Sequence, residues 1–137
     1  MTNWVYDMER MHEKYGVPNW ILENVNDKEK MQKFLEFRIK FLKEELDETR
    51  LAFEDGNPEE IVDGLIDLCV IAIGTLDAFK IDAHTAWEEV YRANMEKEVG
   101  VKESRPNPLG LPDLIKPDGW QAPDHSNNHG LLTNIFL

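Results

Sequence analysis

At 137 residues with a hydrophobic fraction of 42%, the chain carries enough apolar mass for one domain with a core, which excludes general disorder. A formal net charge of -12 argues against nucleic-acid polymers and anionic membranes as partners, since both select clustered Lys and Arg. A small phosphorylated ligand stays compatible with that charge if a divalent cation mediates the contact.

The opening segment "MTNWVYDMERMHEKYG" places acids in its first turns and has no apolar h-region, so it does not read as a signal peptide. It predicts a first helix over Trp4 to Tyr15, closed by Gly16 and Pro18, with a loop around Trp20 to follow. The next helix runs from a cap at Asn26 or Asp27 to Asp55-Gly56. Asn57 then caps a third helix with Pro58 at its first position, ending near Phe79.

Within the third helix "LCVIAIGTL", flanked by Asp67 and Asp77, is about half the length a membrane span requires. Cys69, the only cysteine, lies in that run; it excludes an internal disulfide and reads as a buried, inert thiol suited to a reducing cytoplasm. A fourth helix, capped by Asp82 and stopped by Gly100, completes the set. No segment sustains a period-two pattern, so almost no sheet is expected. Residues 101–137 hold five of the seven prolines and read as an extended lid or strap belonging to the same domain as residues 1–100. Its apolar end, "LLTNIFL", is expected to dock on a neighbouring subunit.

The acids raise the functional question. On a helical wheel centred on Phe41, Glu44, Glu45 and Glu48 continue the Phe34–Phe37 stripe, while Lys40, Lys43, Asp47 and Arg50 take the opposite, solvated side. The third helix is apolar nearly all round, which predicts burial in a bundle, yet Asp63 and Asp67 stand at i and i+4 on one face. Buried carboxylates take partners, protonate or bind metal. Arg38 and Lys97 are the basic candidates to pair with them, but too few bases share these faces for so many acids, and Mg²⁺ is the better counter-charge, with Mn²⁺ as a substitute. On the fourth helix Asn94 and Lys97 flank the apolar stripe of Ala83, Trp87 and Val90 and read as phosphate contacts beside such a site. Trp20, Trp87 and Trp120 are candidates to stack on a base, and His12 is the histidine placed to reach a pocket. Walker A, GxGxxG, cysteine-zinc and nucleophile-elbow patterns are absent.

The blocks "EELDE" (44–48), "DGLIDL" (63–68) with "GTLDAFKID", "EVYRANMEK" (89–97) and "KPDGWQAPD" (116–124), in this order and spacing, resemble the all-α nucleotide pyrophosphohydrolases. That family includes MazG proteins, type II dUTPases and phosphoribosyl-ATP pyrophosphohydrolase. The resemblance implies an all-α, four-helix-bundle fold, assembled as a homodimer or homotetramer. It also implies Mg²⁺-dependent cleavage of a nucleoside triphosphate between the α and β phosphates. Carried onto this sequence, it assigns Glu44, Glu45, Glu48, Asp63 and Asp67 to metal, with Glu44 and Glu48 also catalytic. Asn94 and Lys97 are assigned to substrate phosphates, and Lys116 and Trp120 of the tail are the substrate-binding candidates if that tail closes over the nucleotide as a lid. The usual second motif is Glu-x-x-Asp, whereas Gly64 stands three residues before Asp67 here, so Asp63 is expected to replace the missing glutamate. Phosphoribosyl-ATP, which shares the scissile bond, is the second substrate reading, and a non-catalytic helical binding module the third.

Overall fold

A computed structural model describes residues 2–102, 104 and 109–136. Its helices begin where the sequence offers caps. Asn3 opens α1 (Trp4–Tyr15), Asp27 opens α3 (Lys28–Glu54) and Asn57 opens α4 (Pro58–Ala78), each side chain accepting a backbone N–H three residues on, at 3.1, 3.1 and 3.2 Å. Gly16, at φ 76°, turns the chain out of α1 and directly into α2 (Val17–Asn24).

The expected Trp20 loop is therefore a helix. Pro18 sits in its first turn, where the missing N–H would have had no intrahelical partner. The fourth expected helix is also shorter than its pattern suggests: α5 (Ala83–Met95) stops before Lys97, and β1 (Glu98–Gly100) pairs antiparallel with β2 (Asp113–Ile115). A three-residue ladder supplied by a partner this far along the chain leaves no period-two signal to read. A short α6 (Leu132–Ile135) ends the described chain, and the fold is all-α with one minimal hairpin-like sheet among the described residues.

The chain forms two compact units, Met1–Ala83 with His129–Leu137, and His84–Asn128. In the first, α3 and α4 run antiparallel along a shared seam, as their partners show. The Phe34 and Phe79 rings lie 5.8 Å apart, Arg38 meets Thr75, and Thr49 meets Gly64, so one helix counts up as the other counts down. Ile21, Met31, Ala78, Phe79 and Ile135 form the core at one end of this seam.

The C-terminal segment closes that core. The Leu131 N–H donates to the Phe79 carbonyl at 2.7 Å, and the Gln32 amide donates to the Ile135 carbonyl. Gly130, at φ 54°, has no room for a side chain, since a Cβ there would run into the Phe79 carbonyl oxygen and lie 2.9 Å from the Lys80 carbonyl carbon. The apolar terminus thus packs on its own chain through Ile135, 1% exposed, while Phe136 is 73% exposed. Because α4 has only part of its circumference covered, Val62, Leu65 and Ile66 stay exposed and Cys69 is half-buried, against the expectation of a fully enclosed helix. No described helix is long and apolar enough to cross a membrane.

In the second unit, the residues after β2 are fastened along α5. The Trp120 indole N–H donates to the Ala93 carbonyl at 2.8 Å, Arg92 Nη2 to the Ala122 carbonyl at 3.3 Å, and the Asp124 N–H to Glu89 Oε1 at 3.0 Å.

Candidate active site

The seam that joins Phe34 to Phe79 and Thr49 to Gly64 passes between Glu45 and Asp67 midway. Glu45 and Glu48, one turn apart on α3, therefore face Asp63 and Asp67, one turn apart on α4. Loss of solvation raises the Glu45 carboxyl above the usual glutamate range, and the charges of Glu48, Asp67 and Asp63 raise it further, together with a hydrogen bond that the protonated Glu45 carboxyl donates to Glu48. Glu45 and Asp67 are half-buried, whereas Glu48 and Asp63 are exposed, so these acids sit on an open seam and not in a sealed core. Glu44 is exposed and lies about 100° round the helix from Glu45.

Among the described residues none of Glu44, Glu45, Glu48, Asp63 and Asp67 forms an ion pair. Arg38, the expected partner on α3, instead donates from Nε to Thr75 Oγ1 and from Nη2 to the Ile71 carbonyl, both at 3.0 Å. Burial without a carboxylate beside it lowers the Arg38 pKa.

Four carboxylates on one face, with no ion pair to them among the described residues, form a donor set suited to a hard divalent metal. They share that face without closing on a point: among the described residues no three His, Cys, Asp or Glu side chains stand at metal-holding separation.

The structure also explains Gly64. Thr49 Oγ1 is held by its bond to the Glu45 carbonyl at 2.7 Å, and its Cβ would lie 3.2 Å from a Cβ at position 64. A glutamate there would run into Thr49, while Asp63, one residue back and exposed, is free of that obstruction.

Two turns further along the seam is a buried polar network that the helical patterns did not single out. His12 Nδ1 bonds Asp77 Oδ2 at 2.6 Å, and a Cβ at Gly74 would meet Arg38 Nη2 at 2.7 Å and His12 Nε2 at 3.2 Å. His12, 5% exposed, thus ties α1 to α4 instead of lining an open pocket. Trp20 packs on Phe34 with ring centres 5.2 Å apart, and Trp87 is exposed.

Asn94, Lys97, Lys116 and Trp120 belong to the second unit. Asn94 is exposed at the end of α5, and the Lys97 and Lys116 ammonium groups lie 5.3 and 5.1 Å from the centre of the Trp120 ring.

With this arrangement in view, a family model described as phosphoribosyl-ATP pyrophosphohydrolase matches residues 20–94, more than half of the chain. The chain belongs to that family.

The phosphoribosyl-ATP pyrophosphohydrolase family is part of the MazG-like all-α nucleoside triphosphate pyrophosphohydrolases, and the chain is accordingly a nucleotide pyrophosphohydrolase, a hydrolase of a phosphoanhydride bond. The match takes in α3, α4 and both acidic motifs and ends at Asn94, before Lys97, Lys116 and Trp120. Among curated proteins, none matches the chain.

Proposed function

We propose that the protein hydrolyses the bond between the α and β phosphates of a nucleoside triphosphate unit, releasing pyrophosphate, with Mg²⁺ or Mn²⁺ held by Glu45, Glu48, Asp63 and Asp67. The observation that carries this reading is the antiparallel α3–α4 seam, which sets Glu45 and Glu48 opposite Asp63 and Asp67 with no ion pair to any of them among the described residues. Clustered like charges on an open seam are a standing destabilisation unless a cation is bound. When bound, the metal neutralises the polyphosphate and polarises the phosphoryl group under attack.

The chain's own residues supply the rest. Glu44 and Glu48 orient the attacking water and accept its proton, so that hydrolysis leaves a nucleoside monophosphate and pyrophosphate. Lys97 stabilises negative charge on the phosphates, Asn94 orients them, and Lys116 and Trp120 bind the same groups. The family description favours phosphoribosyl-ATP over free (d)NTPs as substrate, and both offer the same anhydride. The exposed apolar side chains Phe37, Leu46 and Phe53 of α3 and Val62, Leu65 and Ile66 of α4 support a homodimer or homotetramer. The free thiol at Cys69 suits action in the cytoplasm.

The test is pyrophosphate release from phosphoribosyl-ATP and from a panel of (d)NTPs, with Mg²⁺, beside Glu48→Gln. Release that depends on metal and disappears in the variant, with its melting temperature unchanged, is expected. Release undiminished in Glu48→Gln would refute the assignment of the acids.

A further inference from the structure

Arg38 shares the α4-facing side of α3 with Glu45, two turns away, yet among the described residues it pairs with no carboxylate. Its guanidinium is turned to α4 instead. Nε donates to Thr75 Oγ1 and Nη2 to the Ile71 carbonyl, both at 3.0 Å, and the Thr75 hydroxyl closes the triangle by donating to the same carbonyl at 2.7 Å. Gly74 makes the room: a Cβ there would lie 2.7 Å from Arg38 Nη2, 2.8 Å from Met8 Cε and 3.2 Å from His12 Nε2, so a larger residue would displace the guanidinium.

Holding a half-buried cation against a helix with no carboxylate beside it costs solvation that an apolar side chain of similar length would keep out of the balance. Polar groups retained at such a cost are best attested where they set the register of packed helices. The geometry here suits that role. A planar fork matched to two acceptors that are bonded to each other fits at one height of α4, whereas apolar contacts are non-directional and tolerate sliding. Thr49 and Gly64 make another close approach of the two helices, and Glu45 and Asp67 lie between it and the Arg38 contact. A slip of α4 by one residue would shift Asp63 and Asp67 by about 1.5 Å and turn them about 100° out of the seam.

We propose that Arg38 is a positioning residue for the metal site: by gripping α4 at Thr75 and Ile71 it fixes the height at which Asp63 and Asp67 face Glu45 and Glu48. Arg38 itself touches neither metal nor substrate. The inference rests on the reading above of these four acids as the cation's ligands, and adds to it the residue that holds the two pairs in register.

The test uses Mn²⁺ alone, without nucleotide and without turnover. Mn²⁺ is titrated into the full chain and the free ion is read by its paramagnetic resonance signal, for the native protein, Arg38→Met, Thr75→Val, Thr75→Ser and Glu48→Gln. Each is assayed well below its own melting temperature, so that loss of fold is not read as loss of metal. Arg38→Met and Thr75→Val should each weaken Mn²⁺ binding about 10-fold, while Thr75→Ser, which keeps the hydroxyl, should bind as the native chain does. Should Arg38→Met fail to fold, Thr75→Val against Thr75→Ser decides. Native affinity in Arg38→Met and Thr75→Val, with Glu48→Gln deficient, would overturn the register role and leave the acids as the metal site. Native affinity in Glu48→Gln would overturn the reading of the acids, and the role of Arg38 with it.

Discussion

Substitution of Gly64 by Ala tests the account of why the second acidic motif lacks its glutamate. A Cβ at position 64 would meet Thr49 at its Oγ1, 3.2 Å from its Cβ and 3.5 Å from its Cα, and the Thr49 hydroxyl is held by the Glu45 carbonyl. Forcing extra volume into such a contact costs about 1–3 kcal/mol. Alanine in place of glycine inside a helix returns about 1 kcal/mol, so Gly64→Ala alone should lose roughly 0–2 kcal/mol. In a Thr49→Ala background Oγ1 and the methyl are gone, and the same substitution should become neutral or stabilise by up to about 1 kcal/mol. The two sites should therefore couple by about 1–3 kcal/mol in a double-mutant cycle. Urea unfolding of the four proteins measures this directly, and in melting temperature the coupling corresponds to roughly 3–4 °C per kcal/mol for a chain of this length. Additivity within about 0.5 kcal/mol would show that Thr49 does not exclude a side chain at position 64.

Phe79→Ala should destabilise the first unit by about 3–5 kcal/mol, since Phe79 is 0% exposed between Phe34 and the C-terminal segment; urea midpoints check this, and a loss under about 1 kcal/mol would contradict the packing. For Glu45 the folded-state pKa is raised, so its contribution to stability is greatest below the ordinary glutamate range and declines as pH rises through the raised value. Melting curves without metal should show that decline, Glu45→Gln should flatten it, and Mg²⁺ should raise the melting temperature most at neutral pH and not at all once the carboxyls are protonated. A metal-induced shift equal at both ends of the titration would rule the acidic seam out as the cation's site.

Much of this fold is local and was legible for that reason. Asp27 and Asn57 cap the helices they were expected to cap, because an oxygen acceptor three residues ahead of an unpaired N–H acts within a single turn. The facing of Glu45 and Glu48 toward α4 follows from their place on the Phe34–Phe41 stripe, which the helical period alone determines. The minimal sheet, the helix around Trp20 and the docking of Ile135 were not legible, since each depends on a partner distant in sequence.

Sequence by itself determined the helical class, the caps, the surplus of acids over bases on one helical face, and membership of a pyrophosphohydrolase family. Tertiary structure alone decided the register of α3 against α4. That register sets Asp63 and Asp67 opposite Glu45 and Glu48, gives Arg38 to Thr75 and Ile71, and leaves Gly64 no room for a side chain. A helix wheel specifies which face a residue occupies, but its height along a neighbour is set by which bulky and small side chains interlock, and that is a property of both helices together.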